Sequence, residues 1–339
     1  MDIEKQRAKA FHDCKIGAIN SVNICFHPEC NEHSINSHIL QKNGILSSIA
    51  EDGHVMEMHI NKYRDDEHFF KKIGINNAFS FNCFCNAHDT GLFKSIEVTE
   101  IDFSNYKNLL LFTLRTIYNE KFRKIVNVRM WECLLATHKK LFYEEFLNGS
   151  LNQEKLGLED IERTEILIWK DLNENTESFV FKVRNIKRIE ICMSSFYNYE
   201  TSLEMNAYFK EHGRQKETVI DIFINLFPHK NESVFMMGYK KEDESQVKGY
   251  INEFFSDTEK RLKRKITNLL MFTCETWVIS NSFYNKRIEG NDAFFGDAVK
   301  FSSQNMHERR FFDINIFQED FTSKFKIFKK NLAKHLIVG

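Results

Sequence analysis

Cys25-Phe-His-Pro-Glu-Cys30 and, far downstream, Cys85-Asn-Ala-His88-Asp89 are the two stretches that decide how this chain is to be read. Each is a short-spaced pair of soft or borderline donors. Two such pairs on separate loops clamp opposite sides of one tetrahedral ion, and thiolate with imidazole suits zinc. The expected ligand set is Cys25, Cys30, Cys85 and His88. Residues 31 to 84, fifty-four in all, separate the pairs, a long insertion for a compact metal module. Cys83 stands two residues before Cys85 and competes for the ion, and His27, inside the first pair, is a reserve ligand. His33, His59 and His68 read as solvated. Asp52-Gly53 reads as a hairpin turn, which makes His54 a strand residue.

Around these pairs the composition is that of an ordinary globular chain. Its 339 residues exceed one small domain, and it is 42% hydrophobic and 28% charged. A formal net charge of −1 gives no global attraction to nucleic acid, so any such attraction must be local. No apolar run reaches the roughly 18 residues of a membrane span. The first residues, Met-Asp-Ile-Glu-Lys-Gln-Arg, lack the apolar core of a signal peptide. The expected location is cytoplasmic, where thiols stay reduced. Cys14, Cys133, Cys192 and Cys274 therefore read as small buried hydrophobes.

Eight of the thirteen His and five of the eight Cys fall in the first hundred residues. The expected organisation is a zinc-binding module over 1–100 and an α+β domain over 101–339. Apolar residues at helical spacing predict a helix from Ser104, as N-cap, to about Val126 and a second over Val128–Leu147, ended by Asn148-Gly149. This places a helical hairpin over 104–148. Strand-like runs at Glu165–Trp169, Ser178–Val183, Arg188–Met193, Val219–Leu226 and Ser233–Met237 predict a mostly antiparallel sheet over 161–239, with a five-residue hairpin loop at Pro228–Glu232. Helices are expected over 243–335, the strongest running from Ser256 or Asp257 to about Val278.

A Cys-x4-Cys knuckle followed by Cys-x2-His is the ligand pattern of a treble-clef zinc module. With Ile35-Asn-Ser-His38-Ile-Leu-Gln41 lying between the pairs, residues 22–97 resemble the HNH, or ββα-metal, endonuclease family. The resemblance implies that His38 is the general base and that Asp89, directly after His88, holds a catalytic magnesium or manganese ion. It implies Asn77 as the asparagine that braces the base, with Asn76 and Asn82 as alternatives. The family has Asp or His immediately before the base; this chain has Ser37. A phosphodiester is cut in such a site when a cation stabilises the charged phosphorane and an imidazole activates water.

Basic runs at Lys182, Arg184, Lys187 and Arg188, at Lys260–Lys265, and in the tail at Lys324–Lys334 with Phe325 and Phe328 offer phosphate and base contacts, or are solvated faces. There is no phosphate-binding glycine loop, no His-Glu-x-x-His and no partnered serine nucleophile. Trp277–Tyr284 reads as core with a turn at Ser280-Asn281. The expectation is a zinc-stabilised HNH-like nuclease acting on DNA or RNA, in a bacterial defence setting. The alternative is a non-catalytic zinc module that binds a protein or small-molecule partner.

Overall fold

The computed structural model describes residues 3–58, 69–214, 218–296 and 314–318. In chain order the elements begin α1 (Ile3–Ser21), β1 (Asn36–His38), β2 (His54–Met58), β3 (Phe70–Gly74), β4 (Ser80–Asn82), α2 (Asn86–Leu92), α3 (Tyr106–Thr137) and α4 (Glu144–Glu174). They continue with β5 (Phe179–Lys187), β6 (Ile191–Asn198), α5 (Leu203–His212), β7 (Asp221–His229), β8 (Glu232–Lys240), α6 (Glu244–Ser256), α7 (Glu259–Phe272), β9 (Trp277–Ile279) and α8 (Asn281–Arg287). The chain is α+β, and every strand pairing among the described residues is antiparallel. His59, His68 and the basic tail with Phe325 and Phe328 lie outside the described residues.

Two compact units form. The first comprises residues 1–39 and 80–178, the second 40–79 and 179–339. A boundary at residue 100 falls inside the first unit, which holds both cysteine-bearing stretches and the long helices.

The first unit is organised by α3. Residues 108–118 of this helix are buried without exception, as expected of a helix apolar on all sides. Its second half buries only Val126, Met130 and Leu134, which with Leu147 meet Ala10, Cys14 and Ala18 of α1. Here Cys14 and Cys133 are joined as a disulfide across 119 residues of sequence. This corrects the expectation of two separate buried thiols; nothing local in either segment announces the crossing of α1 and α3.

The helical hairpin is also larger than expected. Asn127 does not break α3, because its side-chain amide donates to Glu154 Oε1 of α4 at 3.1 Å. Gly149 lies inside α4; a mid-helix glycine costs about 1 kcal/mol, which the packed face of a 31-residue helix absorbs. Glu165–Trp169, expected as a strand, belongs to α4 as well. The buried positions Ile161, Thr164, Glu165, Ile168 and Asp171 recur at helical spacing, while Ile166 is 67% exposed, so the apolar run wraps around a helix of which one face is buried. Asn175, with φ 55°, ends it.

Asp171 ties this corner together. Its fully buried carboxylate accepts from Tyr106 Oη at 2.5 Å, Thr176 Oγ1 at 2.6 Å, and the Ser178 amide and hydroxyl at 2.7 and 2.8 Å. Burial raises its pKa, but these hydrogen bonds outweigh burial and hold it below the ordinary 3.8. We expect Asp171→Ala to cost about 3 kcal/mol in urea unfolding, since buried donors lose a charged acceptor. A depressed folded pKa means that the stabilisation is complete above the ordinary value and is lost as pH falls through the folded one. The gap between wild type and variant should therefore narrow below about pH 4; a gap independent of acid contradicts this role.

The second unit is a seven-stranded sheet in the order β3-β2-β9-β6-β7-β8-β5. On β7, Ile222, Ile224 and Leu226 alternate inward and join Val247, Ile251 and Phe254 of α6 and Leu262, Ile266 and Leu269 of α7 in one core. Pro228 pairs with Ser233 and His229 with Glu232, so the hairpin turns over two residues, Lys230 at φ 54° and Asn231, and not over five. Asp52 (φ 50°) and Gly53 (φ 71°) make the expected turn into β2. Helix α7 stops at Phe272, six residues short of Val278, and Trp277–Ile279 inserts between β2 and β6 as β9. Ser280 caps α8, its hydroxyl accepting from the Phe283 amide.

Several cations of this unit's basic runs are engaged within the fold. Arg184 Nη1 donates to the Asp257 carbonyl at 2.8 Å, and Arg188 donates to the carbonyls of Lys230 and Ser48, each at 2.8 Å. Lys263 pairs with Glu259 at 2.7 Å and Lys265 with Asp257 at 2.7 Å.

Candidate metal centre

Residues 24–33 form a tight loop closed by the Ile24–His33 bridge. Inside it Cys25 donates its amide to Glu32 O at 2.9 Å, and Cys30 donates to His27 O at 3.0 Å. The loop is held against the second cysteine stretch by Phe26 N–H to Cys83 O at 2.8 Å and Ile35 N–H to Phe84 O at 2.7 Å. Strand β1 then pairs with β4 in the register Asn36–Asn82, Ser37–Phe81 and His38–Ser80. Three residues after β4, Cys85 is the N-cap of α2, and His88 and Asp89 lie in that helix's first turn.

This backbone brings Cys25, Cys30, Cys85 and His88 together, with their ligand atoms all within 4.8 Å of one another. Cys30 Sγ lies 3.9 Å from Cys85 Sγ; His88 Nδ1 lies 3.5 Å from Cys25 Sγ and 3.2 Å from Cys85 Sγ. A tetrahedral ion with metal–sulfur bonds of about 2.3 Å requires sulfur–sulfur edges of about 3.8 Å. Four donors at these separations are close enough to bind a metal, and three sulfurs with one imidazole are a donor set that zinc accepts.

The Cys25 and Cys85 thiols sit in opposite electrostatic environments. Burial pushes the Cys25 thiol up to about 11, against the pull of the Cys85 and His27 amides that face its sulfur. The Cys85 thiol is drawn down, chiefly by the His88 amide at the start of α2. His27, the reserve ligand, stands outside the cluster: its ring stacks on His88 with centroids 3.9 Å apart and planes 5° apart. Burial first, then His88, lowers its pKa. Cys83 is also outside the cluster, 1% exposed, its thiol raised far above the ordinary range by burial.

Asp89 directly follows His88, and the His38 imidazole is near enough to act on its charge. Burial raises the Asp89 carboxyl, and Arg115 and His38 pull it back. Ser37 neighbours that carboxylate short of hydrogen-bond geometry: Ser37 Oγ and Asp89 Oδ1 are both buried without a hydrogen-bond partner. Asn77 belongs to the second unit, on an exposed turn where its amide donates to Gly74 O at 2.9 Å. Asn82, one of the alternatives, lies in the first unit and donates its side-chain amide to Val22 O at 3.2 Å.

Arg115 is the site residue that motif spacing missed. It is 3% exposed, its Nη2 donates to Glu97 Oε1 at 2.6 Å and lies 3.8 Å from Asp89 Oδ1, and its guanidinium covers the Phe93 ring at 4.0 Å. Its Nε and Nη1 have no hydrogen-bond partner. The available signal was a lone charge within the otherwise uncharged run Leu109–Tyr118. A second overlooked residue is Trp169, edge-on to His27 at 5.0 Å and fixed by donating from Nε1 to Tyr118 Oη at 2.8 Å.

No family model matches the chain, and neither the curated proteins nor the solved structures contain a significant match to it. No helix among the described residues is long and apolar enough to cross a membrane.

Proposed function

We propose that Cys25, Cys30, Cys85 and His88 hold one structural zinc ion, and that the β1–β4–α2 unit around it hydrolyses phosphodiester bonds in nucleic acid. The reading is supported by the electrostatic influence of His38 on Asp89, the residue directly after His88. His38 ends β1, Asp89 lies in the first turn of α2, and the imidazole acts on the carboxylate's charge. His38 is assigned as the base that activates water, and Asp89 as the carboxylate that receives a magnesium or manganese ion, a hard cation suited to oxygen. Asn82, pairing with Asn36 two residues from His38, replaces Asn77 as the residue that braces the base-bearing strand.

The alternative, a zinc module that recognises a partner without catalysis, draws on Arg115. A guanidinium 3.8 Å from Asp89 competes with a cation for that carboxylate, and Ser37 supplies no second charge. Incubation of the purified chain with supercoiled plasmid and with single-stranded RNA, in magnesium or manganese, separates the two. The nuclease reading expects metal-dependent cleavage of at least one substrate; intact substrates at micromolar protein overturn it and leave the recognition module.

A further inference from the structure

An open groove of about 600 Å³ runs along the first unit, with one wall formed by Gly91 and Leu92 of α2, the helix that carries His88 and Asp89. Its volume lies in the range of small-ligand sites, ~300–1,000 Å³. Trp169 and Leu172 of α4 and Leu111 of α3 also line it. Val98, at 41% exposed, adds apolar surface open to solvent. Lys94 and Lys107 complete the lining; both are exposed, and neither makes an ion pair among the described residues. Several cations of the second unit's basic runs are held in ion pairs and carbonyl contacts, whereas these two have no acidic partner among the described residues.

We infer that this groove binds a short single-stranded segment of nucleic acid, one base lying on Trp169 and the flanking phosphates on Lys94 and Lys107. The occupant must offer a flat apolar face and negative charge together. Nucleotides combine the two, since every base has a face that stacks on an aromatic ring and every linkage carries an anion. Trp169 is prepared for such a role: its indole is locked by Tyr118, whose hydroxyl in turn donates to Glu165 Oε1 at 2.6 Å. The edge contact of Trp169 with His27, and the stack of His27 on His88, connect the groove wall to the sulfur cluster. As a substrate-holding surface, the groove rests on the nuclease reading.

Binding can be measured apart from cleavage by fluorescence anisotropy, using the full chain carrying His38→Ala, magnesium-free buffer, and labelled 12-nucleotide single strands of DNA and of RNA. Lys94→Glu with Lys107→Glu should weaken binding at least tenfold. Replacing each lysine with glutamine should lower the slope of log affinity against log salt by about 0.7. Trp169→Ala should weaken binding about tenfold and Trp169→Phe far less, because phenylalanine keeps a stacking face. Each variant's zinc content reports whether the unit remains folded, and the surface lysine variants do not depend on a buried side chain. Unchanged affinity in the double glutamate variant, or no binding of either strand by the unsubstituted groove, overturns the inference. Unaltered affinity in the double glutamate variant, with cleavage persisting when the same two substitutions are made in the chain that keeps His38 and is given magnesium, sinks the groove and spares the nuclease. Groove-dependent binding without cleavage by the wild-type chain does the reverse.

Discussion

Cys85→Ser should purify without zinc and with the first unit largely unfolded. Cys85 occupies two roles at once, as a ligand and as the residue from which α2 starts. Its loss leaves Cys25 and Cys30 thiols with no ion to oppose them, and it frees the loop of residues 24–33 from α2. Structural zinc binding in small modules is worth about 10–16 kcal/mol at neutral pH. A whole domain is stable by only about 5–15 kcal/mol, so removing the ion removes the margin. Circular dichroism should show helix loss, and limited proteolysis should cut the segment around residues 22–40, which wild-type protein protects. Cys83→Ala is the control. That thiol is more buried than any cluster residue but stands outside the cluster, so the variant should keep its zinc and lose only the ~1–2 kcal/mol of a small core truncation. Full zinc occupancy and wild-type stability in Cys85→Ser contradict the assignment.

His38→Ala should lower nucleic-acid cleavage by about 10²–10⁴-fold, the usual contribution of a positioned acid or base, while leaving zinc content and stability near those of wild type. The separation of effects follows from position. His38 is at the end of β1, half-buried, and contributes no ligand atom to the sulfur cluster. Asp89→Asn should act differently, raising the magnesium concentration needed for half-maximal rate because a neutral amide holds a divalent cation poorly. Cleavage rates of His38→Ala equal to wild type, with zinc intact, would remove the base from the scheme and favour the recognition module.

The candidate metal cluster was legible because chelating pairs are local: two donors with four or two residues between them announce themselves without knowledge of the fold. Strands β5 to β8 were legible for a similar reason, since alternation and turn residues act over a few positions. The failures share a physical cause. Glu165-Ile-Leu-Ile-Trp169 is a short apolar run, and such a run fits a strand or a buried helix face equally well until its neighbours at helical spacing are counted. Trp277–Ile279 continued an apolar periodicity, and only its partners β2 and β6, far away in sequence, make it a strand. The Cys14–Cys133 disulfide and the approach of Arg115 to Asp89 depend on how helices cross. The pairing of β1 with β4 is of the same kind: residues 40–79 leave the first unit and supply β2 and β3 to the sheet of the second.

Zinc K-edge X-ray absorption on the chain purified without added metal, together with elemental analysis, tests the central assignment most directly. One zinc per chain, with three sulfur scatterers at about 2.3 Å and one nitrogen at about 2.0–2.1 Å, is the predicted result. A chain that carries well under one zinc, or a first shell of oxygen and nitrogen alone, would contradict it.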